Sequence, residues 1–212
     1  MIRPFGMAAI SAWALAAGDF AGGSAHARSG GDAAACLAAL DALGVEYERV
    51  ERPGIVVGVA VTADLGGVKY VSYTGDELVL DCSLVYSLAR AGEVLSAYGV
   101  ERATYSSAYQ RRTIRNTSRP SSHSFGLAID VHIYEGAELG RLRLEDDYEQ
   151  GLGSAGDCLG RPLTEGGAIL RDIHCRLEDA ELFRFILSPD YDAHHYNHFH
   201  FEALPWGERD DV

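Results

Sequence analysis

The chain has 212 residues, of which 47% are hydrophobic, so it can bury a substantial core and is expected to form one domain. Its 18 Lys and Arg residues stand against 31 Asp and Glu residues, which gives a formal net charge of −13. This charge repels phosphate backbones and anionic lipid surfaces, so we expect no nucleic-acid partner and no anionic membrane partner. An arginine cluster interrupts the acidity between positions 102 and 119, and it consists of Arg102, Arg111, Arg112, Arg115 and Arg119.

Residues 1–27 predict a signal peptide. Arg3 stands near the start, an apolar stretch runs from Phe5 to Ala17, and the A-x-A pattern of Ala25 and Ala27 precedes the expected cleavage point. The apolar stretch is too short to span a bilayer. The alternative is a disordered tail rich in Ala and Gly. We therefore expect a leader at 1–27, a domain at 28–212, no membrane span, and a periplasmic or secreted mature protein.

The four cysteines remain after the expected cleavage. An even number in an oxidising compartment predicts two disulfides, for which three pairings are possible. We favour Cys158 with Cys175, because this pair closes a short local loop, and hence Cys36 with Cys82. Buried free thiols are the alternative, and no C-x-x-C spacing indicates a structural zinc site.

The first elements of the domain are predicted to be a helix and a hairpin. Asp32 can cap a helix that Gly44 ends. Two β-like runs follow at 55–62 and 68–73, and the glycines at 66–67 between them suggest a hairpin. These elements carry no chemistry of their own.

The rest of the chain alternates irregularly between helical and strand patterns. Asp81 predicts the start of a second helix that ends near Gly99. The later predicted elements are strands at 103–109 and 126–134, a helix at 165–178, and strands at 183–187 and 198–202. Without regular βαβ alternation, this order predicts a single α+β domain with a largely antiparallel central sheet flanked by helices.

Histidines concentrate near the C-terminus. Four of the eight in the chain are His194, His195, His198 and His200. In a strand, His198 and His200 point to the same face, because side chains alternate with a period of two. Upstream, the segment from Ser121 to Asp130 places His123 at the end of a loop and a carboxylate inside an apolar strand.

Two imidazoles and a carboxylate from separate points of the chain suit a zinc ion with one open coordination position. Such an ion activates water and polarises a scissile carbonyl. A metal would also offset the cost of burying Asp130 in an apolar strand. In the alternative, Asp130 pairs with a nearby arginine and the histidines are ordinary polar surface.

The combined pattern is more specific than any single histidine. Residues 121–130 fit S-x-H-x-x-G-x-A-x-D, and residues 198–200 fit H-x-H. This pair of motifs resembles the zinc peptidases of the lysostaphin, D-alanyl-D-alanine peptidase and hedgehog superfamily. Within that superfamily, the chain is most similar to the extensin-like C-terminal domain, and the similarity extends over nearly the whole expected mature chain. The resemblance implies a hedgehog-like or D-alanyl-D-alanine-peptidase-like fold.

The resemblance also implies roles for individual residues. His123, Asp130 and His200 would bind Zn²⁺, and His198 would lie beside the metal and exchange protons during catalysis. Arg112 best fits the place of the arginine that binds a substrate carboxylate or the developing oxyanion. The neighbours expected to contact substrate are Arg111, Arg115 and Ser121.

Two positions depart from the family pattern. Many carboxypeptidases of this superfamily carry an acidic general base three residues before the last zinc histidine, where this chain has Asn197, which cannot take up a proton. Val57 stands where many extensin-like domains carry a cysteine, so the disulfide pattern of the family does not transfer intact. His132 and His195 are expected to be outer or surface residues of the site.

The leading hypothesis is therefore an exported, zinc-dependent hydrolase of peptide or amide bonds, with cell-wall peptidoglycan as the expected substrate. The rival hypothesis is a zinc-containing module that binds peptidoglycan or another wall polymer without catalysis, as Asn197 suggests. In a third hypothesis no metal binds and the histidines are structural.

Overall fold

The computed structural model describes residues 24–152 and 158–209. The helices of the described residues are α1 (Ser24–Ala42), α2 (Cys82–Ala97), α3 (Leu144–Asp147) and α4 (Glu165–Asp179), with short 3₁₀ helices at Ser122–Phe125 and Trp206–Glu208. The strands are β1 (Tyr47–Arg49), β2 (Gly58–Val61), β3 (Lys69–Ser72), β4 (Val79–Asp81), β5 (Arg102–Ser107), β6 (Ala128–Gly136), β7 (Gly140–Arg143), β8 (Phe185–Leu187) and β9 (Phe199–Glu202).

Helix α2 lies at the centre of the fold. Eleven of its 16 residues are buried, and it packs against α1, α4, β2 and β4. Its start is the predicted one, because the Asp81 carboxylate accepts hydrogen bonds from the Ser83 backbone N–H at 2.9 Å and from the Ser83 hydroxyl at 2.7 Å. The other Asp81 oxygen accepts from the Val57 N–H at 3.0 Å, so one buried carboxylate joins the helix to the preceding chain.

The strands form two sheets. A six-stranded sheet has the order β3-β5-β6-β9-β8, with β7 also paired to β6, and in it only the β3–β5 pair is parallel. A separate antiparallel sheet has the order β1-β2-β4. The predicted α+β class with largely antiparallel pairing is confirmed, whereas the smaller sheet was not expected.

The predicted hairpin at 55–62 and 68–73 is wrong. Its first run supplies β2 to the small sheet, and its second run supplies β3 to the large one. The chain does turn back tightly at Gly66 and Gly67, since Leu65 and Val68 on either side each donate an N–H to the other's carbonyl oxygen and both glycines have positive φ. The two runs nevertheless enter different sheets, and Gly66 also packs against the backbone of α2, where an added Cβ would lie 2.1 Å from the Ala89 carbonyl oxygen.

The first helix begins earlier than predicted. It starts at Ser24 rather than at a cap provided by Asp32, because the residues before Asp32 include good helix formers such as Ala25 and Ala27. Most of the expected leader at 1–27 lies outside the described residues. No helix in the described part of the chain has the length and apolar character needed to cross a membrane.

Both favoured disulfides form. Cys36 of α1 pairs with Cys82 at the start of α2, and Cys158 pairs with Cys175 in α4. Val57 lies next to the first pair, since its carbonyl oxygen accepts from the Cys82 N–H at 2.8 Å.

Substitution of Asp81 by Ala should lower the free energy of unfolding by about 2 to 4 kcal/mol, because it removes a helix cap and leaves the buried Val57 N–H without its acceptor. Urea unfolding with both disulfides intact measures the loss. The matched control is Asp64→Ala at an exposed position, which should change stability by less than about 0.5 kcal/mol. Equal effects of the two substitutions would contradict the assigned role.

Candidate metal centre

The candidate site lies where three segments of the large sheet and its loops meet. Strands β6 and β9 pair antiparallel with Asp130 directly opposite His200. Residues in such a position have Cβ atoms about 4.5 to 5.5 Å apart, so their side chains touch. The third member, His123, is fully buried in the 3₁₀ helix that precedes β6.

The three side chains converge on one point. Asp130 Oδ1 lies 2.8 Å from His200 Nδ1 and 3.3 Å from His123 Nε2, and the two imidazole nitrogens lie 3.3 Å apart. Donors around a tetrahedral zinc ion with bonds near 2.1 Å lie about 3.4 Å from one another. These residues can therefore hold a metal ion.

Outer contacts orient both imidazoles. His123 Nδ1 lies 2.8 Å from the Ala108 carbonyl oxygen, which can only accept, so Nδ1 carries the proton and Nε2 keeps its lone pair for the centre. Glu202 Oε2 lies 3.8 Å from His200 Nε2, and the Ser122 hydroxyl donates to the same carboxylate oxygen. The carboxylate favours a proton on Nε2, so that loss of the proton which Nδ1 donates to Asp130 would leave Nδ1 of His200 able to bind a metal.

The electrostatics of the site keep Asp130 ionised. Burial alone would raise its pKa, but hydrogen bonds and positive charge from His123 and His200 hold the pKa well below its usual range. Burial opposes the charged form of His200, yet its contacts with Asp130 and Glu202 raise the pKa to about 8. The buried carboxylate is thus in the form that a metal ion binds.

The structure explains why the first motif has a glycine at position 126. It ends the 3₁₀ helix in the left-handed region at φ +66°, where its N–H bonds to the carbonyl oxygen of His123 at 3.2 Å. An added Cβ would lie 2.7 Å from the Asp81 nitrogen, whose N–H donates to the Gly126 carbonyl oxygen. The loop that carries His123 is therefore held against the start of α2.

Arg112 is the member of the arginine cluster that reaches the site. Its Nη2 lies 3.2 Å from Asp130 Oδ2, so one oxygen of this carboxylate faces the imidazoles and the other faces the guanidinium. The Ser124 hydroxyl donates to the Arg112 carbonyl oxygen at 2.7 Å and accepts from its N–H at 2.9 Å. Both sequence interpretations of Asp130, as a metal ligand and as a partner of an arginine, are compatible with this geometry.

The other expected substrate contacts are placed differently. Arg111 and Arg115 are exposed, and within the described residues neither forms an ion pair. Ser121 is buried at the base of the loop, where its N–H donates to the Arg112 carbonyl oxygen at 3.0 Å. Its backbone helps to place Arg112 beside Asp130.

His198 lies beside the Asp130 carboxylate. Its Nε2 is 3.5 Å from Asp130 Oδ1, and its Nδ1 is 2.9 Å from Asn197 Oδ1. Burial lowers the pKa of His198 to about 4, against the attraction of Asp130. The rings of His132 and His195 each lie 5.1 Å from the His198 ring, so the two residues flank it.

Sequence similarity agrees with the motifs at the centre. The family model described as extensin-like protein C-terminus matches residues 34–209. The chain belongs to this extensin-like family. No curated protein and no solved structure matches it. The match includes every residue of the candidate centre of this extensin-like domain.

Sequence reasoning missed Glu202 as part of the extensin-like site. This carboxylate lies only two residues beyond His200, so the period of the strand places both on one face. That alternation could have identified it. The pairing of His123 with the Ala108 carbonyl had no comparable sequence pattern, because it joins a loop to the end of a different strand.

Replacing Gly126 by Ala in this extensin-like domain should destabilise it more than replacing Gly140. Both glycines have positive φ, which costs an alanine about 1 to 2 kcal/mol, but an added Cβ at Gly140 meets nothing within 4 Å. The clash of Gly126→Ala with Asp81 should add about 1 to 3 kcal/mol. Urea unfolding compares the two variants, and indistinguishable losses would contradict close packing at Gly126.

Proposed function

We propose that this extensin-like protein is an exported, zinc-dependent hydrolase of peptide or amide bonds that acts on cell-wall peptidoglycan. The observation that carries the proposal is the convergence of His123 Nε2, Asp130 Oδ1 and His200 Nδ1 within 3.3 Å of one another. Each imidazole, once neutral, can present an unprotonated nitrogen to this point beside the ionised carboxylate of Asp130.

Zinc is the ion that suits this donor set. Two neutral imidazoles and one carboxylate are common ligands of catalytic zinc sites, which keep a fourth position open. The Ala108 carbonyl oxygen orients His123 from outside, as is usual for zinc-bound histidines, and the Glu202 carboxylate lies 3.8 Å from the outer nitrogen of His200. When bound there, zinc would supply Lewis-acid chemistry towards water and the scissile carbonyl.

His198 has the position of a proton-transfer group. Asn197 Oδ1 accepts from its Nδ1, so the nitrogen that faces Asp130 and the centre is Nε2. Nε2 can take a proton from the attacking water and pass it to the leaving amine. In this scheme Asn197 orients the histidine, and no acidic side chain at position 197 is required.

Arg112 has the position of an electrostatic clamp. Its side chain is 42% exposed, and Nη2 is the atom that lies closest to Asp130 in their ion pair. A guanidinium has five N–H donors, so others stay available for a substrate carboxylate or a developing oxyanion. Its contact with Asp130 fixes the guanidinium beside the reacting position.

The order and placement of the motifs support kinship with the zinc peptidases of the lysostaphin, D-alanyl-D-alanine peptidase and hedgehog superfamily. The S-x-H…D and H-x-H motifs lie on a loop and on two adjacent antiparallel strands, which brings the residues that match the superfamily pattern together. The two disulfides and the leader pattern at 1–27 support export to the periplasm or beyond. Peptidoglycan is the substrate proposed on the basis of that kinship.

The second candidate function is a zinc-containing module that binds wall polymer without cleaving it. Asn197 favours this candidate, because it stands where related carboxypeptidases carry an acidic base and it can only orient His198. Both candidate functions include bound zinc, and they differ in whether the wall polymer is cleaved.

The zinc content of variants should distinguish residues that bind the metal from residues that only lie beside it. Without reductant, the purified chain should hold about one zinc per molecule, and Asp130→Ala should weaken zinc binding by more than the 10- to 100-fold typical of losing an outer contact. His198→Ala is the matched control and should keep zinc. Elemental analysis and chelator competition measure both, and retention of zinc by Asp130→Ala would refute the ligand set.

Digestion of peptidoglycan fragments by the zinc-loaded protein should create new amine termini detectable by mass spectrometry. His198→Ala should lower kcat by about 10²- to 10⁴-fold because it removes the proton-transfer group. Arg112→Ala should lower kcat by about 10²- to 10³-fold if it holds the oxyanion. Arg141→Ala is the control, since Arg141 pairs with Glu135 on the strand pair β6–β7, outside the centre.

If the zinc-loaded protein cleaves none of a broad panel of fragments, the proposed enzymatic activity is refuted. Saturable binding to the polymer without turnover would then support the wall-binding module, in which Asn197→Asp also stays inactive.

A further inference from the structure

His174 is a buried histidine outside the candidate centre. It lies in α4 with 0% exposure, and neither of its ring nitrogens has a hydrogen-bond partner. Glu178 Oε1 lies 3.6 Å from Nε2, beyond hydrogen-bonding distance, and accepts instead from the Ile186 N–H at 3.1 Å. A fully buried imidazole with two unsatisfied nitrogens calls for an explanation, because native structures rarely tolerate such groups.

Two sulfur atoms lie near one ring nitrogen of His174. One ring nitrogen of His174 and the Sγ atoms of Cys158 and Cys175 all lie within 4.8 Å of one another. In the structure the two sulfurs form a disulfide, which leaves no thiolate to bind a metal. Reduction would place two thiolates and an imidazole around one point, and this is a donor set that zinc prefers.

The two disulfides differ in access. Cys36 and Cys82 have 0% exposure, whereas Cys158 and Cys175 are both half-buried. A reductant should therefore reach the Cys158–Cys175 pair first, because exchange requires approach to a sulfur atom. His174 lies directly beside the pair that opens more readily.

We propose that Cys158, His174 and Cys175 form a second, redox-controlled site that binds zinc once their disulfide is reduced. A dithiol supplies the two electrons: its own sulfurs become a disulfide, and its two protons pass to Cys158 and Cys175. Zinc then displaces both protons as the thiols bind, and a ring nitrogen of His174 gives the third ligand. A disulfide oxidant reverses the sequence: it accepts the two electrons, takes two protons from solvent and becomes a dithiol, while the Cys158–Cys175 disulfide re-forms and releases the ion.

This site is distinct from the His123–Asp130–His200 centre but adjoins the strand that carries part of it. The His174 ring stacks on Phe199 with centroids 5.5 Å apart and planes 16° apart. Phe199 stands between His198 and His200, on the opposite face of β9. Metal binding at the second site would therefore fix the His174 ring, which packs against the strand β9 that carries His200 of the first site.

Cobalt(II) tests the proposal on the full chain, because thiolate ligands produce an intense near-ultraviolet charge-transfer band that nitrogen and oxygen ligands do not. A phosphine reductant opens the disulfide, with water supplying the oxygen of the phosphine oxide and the two thiol protons. The band should appear on reduction and be absent from the oxidised protein. The band should persist in Asp130→Ala, which lacks a ligand of the first centre. A failure of the second site can therefore be distinguished from a failure of the proposed function.

Two variants identify the ligands. Cys158→Ala with Cys175→Ala should abolish the band even though Cys36 and Cys82 remain available as thiols. His174→Phe should keep both thiols, counted by a thiol reagent, but weaken cobalt binding by more than the 10- to 100-fold expected for an outer contact. His194→Phe, at an exposed position, is the matched control and should bind as the unmodified chain does.

Three results would overturn the proposal. They are the absence of the band in the reduced chain, unchanged affinity in His174→Phe, and loss of the native circular-dichroism spectrum on reduction. The last would show that thiols bind metal only in an unfolded chain.

Discussion

The antiparallel pairing of β6 with β9 is the constraint on which the candidate centre depends. Asp130 and His200 are far apart in sequence, and they meet because the register of these two strands sets them opposite each other. A shift of this register by one residue would turn His200 to the other face of the sheet. Phe199 and Phe201 prevent such a shift, because both are buried on the opposite face in the core.

The buried carboxylate of Asp130 determines how the rest of the site is arranged. Its two oxygens face different partners, with imidazoles at Oδ1 and the Arg112 guanidinium at Oδ2. An unpaired buried charge would be strongly destabilising, so the loop that carries Arg112 must be held close. The Ser121 backbone N–H and the Ser124 hydroxyl hold it by hydrogen bonds to the Arg112 carbonyl oxygen.

The cysteines and histidines of the chain divide into two environments. In the first, His123 hydrogen-bonds to the Ala108 carbonyl oxygen and His200 to Asp130. In the second, neither ring nitrogen of His174 has a hydrogen-bond partner, and one of them lies near the Cys158–Cys175 disulfide. One group is thus organised for an ion in the oxidised protein, and the other lacks thiolates until its disulfide opens. Phe199 packs between them on β9, which connects the two environments physically.

Local patterns in the sequence were sufficient for several elements and for the candidate ligands. The Asp81 cap, helix α4, strand β6 and the histidine strand follow from capping and periodicity, which depend on neighbouring residues alone. The resemblance of the two motifs to those of the zinc peptidases likewise predicts His123, Asp130 and His200 as the candidate ligands. The glycines at 66–67 do form a tight turn, but the predicted pairing of the two strands failed because strand partners are chosen by long-range packing.

The tertiary structure alone decided how these residues meet. Only the folded chain shows that Arg112 reaches Asp130 while Arg111 and Arg115 stay exposed, since the direction of each side chain depends on the loop contacts of Ser124. Only folding leaves the ring nitrogens of His174 without a hydrogen-bond partner, because Phe199 stacks on the ring and the sulfurs of Cys158 and Cys175 lie near one nitrogen. The sequence by itself determined which donor groups are present and which share a strand face. Their distances and charges arise from strand register and packing, which no local pattern encodes.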